Sequence, residues 1–346
     1  MRSLLCTAPL KINPAMTILP HGWTPFWRKR PMLIHATRRS GNFALVLVFA
    51  VTAFLLGPLC WTEMARAQFH FRDYNGSHPV LTPPDAIKAV GALLEDGRTG
   101  TILYARNADT HLLPASTTKL MTALIVREKL GSLNGEVTIT EADRAEPSNV
   151  PLVPGETISV NKLFHALLIE SANDSARALG RYVAGSNEAF VEMMNQRALA
   201  LGCFNTHFEN PNGLPAPYGT HYTTCADLMK IFSAVIAYPE LRQICETKEY
   251  EMRSASGVHI FRNHNLLLGV YPGMGPAKTG WTVASRHTYA AAVTRGNREL
   301  LLTLLDSPNK WVDAQILFNW GFAQPPAVPT GNSASAAGAS ASAALR

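Results

Sequence analysis

No two cysteines in this 346-residue chain are spaced Cys-x-x-Cys, so a structural zinc site is not indicated, and neither a metal nor a cofactor is expected. Cys6 and Cys60 lie in the first 67 residues; the three that remain, Cys203, Cys225 and Cys245, are an odd number without a disulfide framework. One pair among them could oxidise outside the cytoplasm, and the sequence does not choose it. Charge is scarce, at 16% of residues, and the net charge of +6 misleads. Residues 1–67 hold eight Lys and Arg against the single acid Glu63, which leaves 23 bases and 24 acids beyond them. A basic balance there would have pointed to nucleic acid; with no basic stripe interleaved with aromatics, nucleic acid is not a partner.

Long apolar runs are also rare. The one that stands out, residues 43–60, follows Arg28, Lys29, Arg30, Arg38 and Arg39 and precedes Ala65-Arg66-Ala67. A basic flank, an apolar core and a small-x-small site together read as a secretory signal cut after Ala67, which exports the chain to the periplasm or cell envelope. The competing reading is an uncleaved anchor, because about 17 apolar residues approach spanning length; a membrane is a partner only in that case. Translation from Met16 or Met32 would shorten the leader. Residues 68–84 read as an extended lead-in and 85–322 as the folded domain. The tail 323–346 is Pro, then Ala, Ser and Gly, with nothing to bury, and is expected to be disordered.

Within the domain, Ala89 to Leu94 and Thr101 to Tyr104 flank a Gly-containing turn and read as paired strands. A helix follows Pro114, with Leu120, Met121, Leu124 and Ile125 as one face of a buried helix. Val137 to Thr140 is a short strand, and Val160 to Ile169, Asp174 to Ala184 and Asn187 to Leu201 have helical spacing. Asn210-Pro211-Asn212-Gly213 is turn chemistry, and Thr224-x-x-Asp227 caps a helix through about Ala237. Tyr250 to Met252, His259 to Arg262, Ala277 to Val283, Thr288 to Thr294 and Glu299 to Leu305 are strand-like, and a last helix, Trp311 to Asn319, closes on Gly321. Strands at both ends with helices between them imply an α+β domain: an antiparallel sheet built from both termini, covered by helices, with an inserted helical subdomain.

Three polar motifs carry the chemistry. Ser116 and Lys119 stand three apart on the first turn of a helix, where the amine can take the hydroxyl proton and the dipole favours developing negative charge. Ser171-Ala172-Asn173 puts a hydroxyl and an amide on a turn after a helix. Lys278-Thr279-Gly280 opens a strand, with Trp281 next, and Gly280 allows a ligand to approach the strand backbone. Each alone has an ordinary structural explanation: a helix cap, a chance triplet, a charged strand edge. Their order in one exported chain is what gives them weight.

On these motifs the chain, from about Ile87 to Phe322, resembles the low-molecular-mass penicillin-binding proteins that are D-alanyl-D-alanine carboxypeptidases, serine peptidases of the Ser-x-x-Lys type, whose motifs and fold β-lactamases share. Asn107-Ala108-Asp109, Met194-Asn195 and Asn210-Pro211-Asn212-Gly213-Leu214 add to the likeness. The resemblance implies the penicillin-binding-protein transpeptidase/β-lactamase-like fold, peptidoglycan stem peptides as substrate and β-lactams as acylating inhibitors. It implies Ser116 as nucleophile and Lys119 as base, depressed from its usual ~10.4 by burial and by Lys278. Ser171 would relay the proton, and Asn173 would bond the substrate amide. Lys278 and Thr279 would bind the terminal carboxylate, with Gly280 and Trp281 continuing the strand on which the substrate lies. The backbone N–H groups of Ser116 and Trp281 would form the oxyanion hole.

Some residues depart from the family pattern. Gly275-Pro276-Ala277 replaces the usual Asp-Gly-hydrophobic run, so the approach to Lys278 must bend differently. Cys203 and Cys225 stand where different residues are expected, and the Ala/Ser tail has no apolar face for a membrane. A β-lactamase of class A would need a Glu-x-x-Leu-Asn loop between Asn173 and Lys278, and none occurs. A D,D-endopeptidase would carry the same three motifs, and a non-catalytic penicillin sensor would keep the fold without needing the proton relay. A Ser-His-Asp triad of Ser116 with His221 and Asp227 is rejected, because Lys119 already supplies a base and Asp227 is explained as a helix cap.

Overall fold

A computed structural model describes residues 84–326 except 146, 217 and 218. The leader, the lead-in as far as residue 83 and the tail from residue 327 lie outside the described residues. The chain runs through strands β1 (Gly91–Asp96) and β2 (Thr101–Arg106), a 3-10 turn (Ala115–Thr118) and helix α1 (Lys119–Leu130). Next come β3 (Glu136–Thr138), β4 (Thr157–Ser159), α2 (Val160–His165) and a π turn (Ala166–Glu170), followed by α3 (Asn173–Ala184) and α4 (Asn187–Ala200). Then follow α5 (Cys225–Ile236), α6 (Pro239–Glu246), β5 (Glu249–Ser254), β6 (Gly257–Arg262), β7 (Met274–Thr282), β8 (Arg286–Arg295), β9 (Arg298–Ser307) and α7 (Lys310–Ala323).

One antiparallel sheet, ordered β2-β1-β9-β8-β7, joins the two ends of the domain. Its period-2 pattern sends alternate residues to opposite cores. Ala290, Ala292, Leu301 and Leu305 face the large cluster of helices α1 to α6. Tyr289, Ala291, Val293, Leu300, Leu302 and Leu304 face α7, through Leu317 and Phe318. The α+β architecture with inserted helices is the expected one. The β5–β6 hairpin stands apart from this sheet as a two-stranded unit.

Several local expectations change. Helix α1 is a buried helix, as expected, but its burial is all round: every residue from Lys119 to Val126 is buried, because α3, α4, α5 and the π turn surround it. A helix packed on all sides needs no polar stripe. Ser116 lies not in the α-helix but in the 3-10 turn that leads into it. Helix α6 was not expected from the sequence; Pro239 starts it rather than breaking the chain, as its fixed φ allows at N1, and Leu241, Ile244 and Cys245 form its buried side. Helix α7 does not stop at Gly321 but runs through it to Ala323. A Cβ at Gly321 would meet Leu94 Cδ2 at 2.7 Å and Leu300 Cδ1 at 2.9 Å, so this glycine is small for packing and does not terminate the helix. Thr224 caps α5 as expected, accepting the Asp227 N–H at 3.0 Å.

Ahead of Lys278 the pairing of β7 with β8 slips between Met274 and Ala277, where Pro276 sits. β7 is the sheet edge, so the missing N–H of Pro276 is tolerated there and the strand bends as foreseen. Cys203, Cys225 and Cys245 are free and buried, and burial pushes each thiol up to about 12. Gly321→Val is expected to lower stability by about 1–3 kcal/mol through overpacking, read as a lower urea midpoint, without altering the catalytic side of the sheet.

Candidate active site

Ser116, Lys119, Ser171, Asn173 and Lys278 converge from three separate parts of the chain. Lys119 Nζ lies 2.9 Å from Ser116 Oγ, 2.7 Å from Asn173 Oδ1 and 2.7 Å from the Asn212 carbonyl. Two of these partners, an amide oxygen and a peptide carbonyl, can only accept. A neutral amine has two N–H groups for them, and its lone pair is then left for the one partner that can donate, the Ser116 hydroxyl. Lys119 is fully buried, and its pKa is pulled well below the usual lysine value, first by burial and then by the charge of Lys278. Asp174 opposes that shift. The geometry therefore suits a neutral lysine beside a half-buried serine.

The second motif enters through an unusual backbone. The π turn ends at Ser171, which takes the left-handed conformation (φ 65°), a strained state for a residue with a side chain. That conformation presents Ser171 Oγ to Lys278 Nζ at 2.9 Å, while Lys278 also donates to its neighbour's carbonyl, Thr279 O, at 2.9 Å. Burial pulls Lys278 down to about 7. Asn173 begins α3; its Nδ2 donates to the Pro147 carbonyl and its backbone N–H to the Ser148 carbonyl at 2.8 Å. One amide N–H of Asn173 is therefore already engaged by the 147–148 segment, and one is left for a ligand. Asp174, raised to about 7 by burial, accepts the Val150 N–H at 3.2 Å and pins the same segment.

The third motif lies on the free edge of β7. A Cβ at Gly280 would stand 2.8 Å from Ser116 N and 2.3 Å from Thr288 Oγ1, so the strand backbone touches the nucleophile's own turn only because Gly280 is bare. Thr288 Oγ1 and Thr117 Oγ1 both donate to the Pro114 carbonyl, at 2.8 and 2.6 Å, and tie that turn to the sheet. The Thr282 N–H turns inward to Ser285 Oγ at 3.0 Å. Strand alternation then leaves the N–H of Trp281 on the outer edge, near Ser116. The Trp281 indole itself is exposed, and Thr279 is buried beside Lys278.

His221 and Asp227 form no triad with Ser116. His221 Nδ1 accepts the Glu209 N–H at 3.2 Å, which places the ring proton on Nε2, bonded to Thr118 Oγ1 at 2.9 Å. Burial lowers His221 to about 4, so it is a neutral anchor for the turn after Ser116. Asp227 is occupied by Asn205 N–H, Thr206 Oγ1 and Lys230. The sequence reading missed the roles of Asn212 and Gly213. Gly213 has φ 85°, and a Cβ there would fall 1.8 Å from the Ala115 carbonyl. The turn composition was legible, but not which carbonyl reaches the lysine.

Several known proteins are similar to this chain. The chain matches the D-alanyl-D-alanine carboxypeptidase family, peptidase S11, over residues 78–309. It is 34% identical over 264 residues to D-alanyl-D-alanine carboxypeptidase DacB2 of Mycobacterium tuberculosis, covering 74% of this chain and 89% of that protein. A Streptomyces sp. K15 D-alanyl-D-alanine carboxypeptidase is 33% identical, with 70% and 90% covered. Among solved structures, a D-alanyl-D-alanine carboxypeptidase from M. tuberculosis superposes with a TM-score of 0.65 at 34% identity, over 69% of this chain and 94% of that one. The Streptomyces K15 DD-transpeptidase gives 0.65 at 32% identity, over 69% and 98%.

Two outcomes follow from the geometry. Gly280→Ala should displace the Ser116 turn and slow acylation by about 10²-fold, a usual cost of misplacing a reacting group by an ångström, with folding retained by circular dichroism. Stability should also rise with pH above neutrality. Lys278 titrates near 7 when folded and near 10.5 when unfolded, so between these values the unfolded chain binds more protons and unfolding becomes harder as pH increases. Denaturant midpoints from pH 7 to 10 should climb in the wild type and climb less in Lys278→Met.

Proposed function

The chain belongs to the peptidase S11 family of D-alanyl-D-alanine carboxypeptidases and is a serine-type enzyme of that class, and we propose the roles its own residues take. Ser116 Oγ attacks the carbonyl between two terminal D-alanines, and neutral Lys119 takes the hydroxyl proton. Ser171, whose Oγ is bonded to Lys278, relays the proton that Lys119 took on to the departing amine as the C–N bond breaks. An acyl-ester on Ser116 and free D-alanine result, and water releases the shortened peptide by the reverse proton path. The backbone N–H groups of Ser116 and Trp281 hold the oxyanion. Lys278 and Thr279 take the terminal carboxylate, and the peptide extends along β7 past Gly280 by strand addition. Asn173 offers its remaining amide N–H to the substrate carbonyl side.

The observation that carries this reading is the buried Lys119 amine 2.9 Å from Ser116 Oγ, with its other two partners obligate acceptors. The physiological substrate is the peptidoglycan pentapeptide stem, and β-lactams acylate Ser116 as substrate mimics. The site of action is the cell envelope. That part rests on the basic, apolar and small-x-small pattern through residue 67, outside the described residues, and on relatives that are bacterial cell-wall enzymes. Among the described residues no helix is long and apolar enough to cross a membrane.

Incubation with a peptide ending in D-Ala-D-Ala tests the proposal. One D-alanine per peptide should be released by the wild type and none by Ser116→Ala, which should also fail to form a covalent penicillin adduct. Lys278→Ala should raise KM for the free-carboxylate peptide at least tenfold. Persistent turnover in Ser116→Ala would remove Ser116 as nucleophile. Fast penicillin hydrolysis without D-alanine release would indicate a β-lactamase, and a lasting adduct without release a sensor or an endopeptidase, separated by a cross-linked substrate. Because one solved neighbour is a DD-transpeptidase, an added amine acceptor would show whether water or an amine receives the acyl group.

A further inference from the structure

Helix α3 holds the chain between β3 and β4 along one of its faces. Asn173, Arg177 and Arg181 recur every four residues and so share that face. Arg181 pairs with Asp143 through contacts of 2.8 Å and donates to the Thr138 carbonyl at 2.7 Å. Arg177 donates to the Arg144 carbonyl at 2.9 Å. At the catalytic end the helix both gives and takes. Asn173 donates from Nδ2 to the Pro147 carbonyl and from its backbone to the Ser148 carbonyl at 2.8 Å, while Asp174 accepts the Val150 N–H at 3.2 Å. Between those contacts Ser148 has φ 58°, a conformation that persists only where its surroundings impose it.

This clasp decides which way the Asn173 amide faces. An asparagine amide can turn over and exchange its oxygen for its nitrogen. The Pro147 carbonyl, an obligate acceptor, demands Nδ2, and that sends Oδ1 to Lys119 Nζ at 2.7 Å. Reversed, the amide would set oxygen against oxygen at Pro147. It would also offer an N–H to the lysine lone pair, which the proposed mechanism needs for the Ser116 hydroxyl. Pro147 therefore selects what Lys119 meets, provided that residues 147–150 stay in place. Residues 147–149 are exposed and have little packing of their own; Val150 is buried, and its N–H goes to Asp174.

Asp174 does more than suit a helix start. It accepts the Ser175 N–H at 2.8 Å, as an acid in a first turn can, but an exposed carboxylate would serve for that. Instead it is 2% exposed, with no cation within ion-pair distance among the described residues, and burial raises it to about 7. A buried carboxyl without a counter-ion is costly. The bond to Val150, 24 residues away in sequence, is what a plain helix start would not require.

We infer that Asp174 is a positioning residue for the reaction: by holding Val150 it fixes residues 147–150, and these set the Asn173 amide with its oxygen toward Lys119. The inference rests on the proposed roles of Ser116, Lys119 and Asn173, and adds to them a residue that acts only through Asn173.

The test follows acylation of the full-length protein by a fluorescent penicillin, beside D-alanine release from a peptide ending in D-Ala-D-Ala. Asp174→Ala should slow acylation about 10–100-fold, the scale expected for a misplaced reacting group, with an unchanged circular dichroism spectrum. Asp174→Asn keeps an amide oxygen for the Val150 N–H and should bring the rate back to within about threefold of wild type. The losses at 173 and 174 should not add: in an Asn173→Ala background, Asp174→Ala should cost less than about threefold more. Should the alanine variant not fold, Asp174→Ser takes its place, one bond too short for Val150 yet suited to a helix start. Wild-type rates without the Asp174 carboxyl, an asparagine variant as slow as the alanine one, or a full further loss in the Asn173→Ala background would overturn the inference. A wild type that is neither acylated nor releases D-alanine would overturn the proposed reading of the site itself, and this role with it.

Discussion

The interaction on which the rest depends is the burial of one primary amine. Lys119 sits at the first position of a helix that is enclosed on every side, so its Nζ has no water to fall back on. An ammonium there would carry a heavy desolvation cost unless fully bonded and paired, and no carboxylate stands within ion-pair distance among the described residues. The lower-energy answer is a neutral amine whose two N–H groups meet two fixed acceptors. Those acceptors come from the start of α3 and from the turn after α4, so the site exists only once the helical subdomain has closed around α1. Lys119 links the fold to the proposed chemistry, because the same burial that constrains packing suits it to act as a base.

Two lysines share this small volume and must differ in protonation. Lys119 meets an amide oxygen, a peptide carbonyl and a hydroxyl, whereas Lys278 is hydrogen-bonded, among the described residues, to Ser171 Oγ and Thr279 O alone, on the edge where the proposal brings a substrate carboxylate. The charge of Lys278 adds to burial in lowering the readiness of Lys119 to hold a proton. Ser171 meets Lys278 from a backbone conformation that follows a π turn and that a plain α-helix would not supply. The strain has a use: it aims a hydroxyl at a lysine on another element.

How far the sequence could be read follows from the same physics. Spacing along one helix showed Ser116 and Lys119 as neighbours, a Thr-x-x-Asp pattern gave the α5 cap, and alternating apolar residues gave the sheet strands. These signals are local. Asn212 could not be picked out, because its contribution is a carbonyl, which every residue has; only the fold decides which carbonyl faces the lysine. Helix α6 hid behind Pro239, a residue that ends helices in their interior and begins them at the first position. Gly321 was legible as a small residue, but not as one held small by Leu94 and Leu300 across the core.

An exposed strand edge is ordinarily a liability, and β7 has the devices that guard against it: a proline, a slip in register, and a lysine whose charge faces inward. Yet the guard is confined to its first half, from Met274 to Lys278. From Thr279 to Trp281 the edge has neither proline nor register slip, though the Thr279 carbonyl accepts from Lys278, and it runs past Ser116 because Gly280 lets the backbone come within van der Waals reach of the Ser116 turn. A peptide adding to that stretch meets Lys278 at one end, where an internal chain would have to continue but a terminal carboxylate can stop. If the substrate adds there as proposed, preference for a chain end would come from the blocked half of the strand as much as from the charge of the lysine.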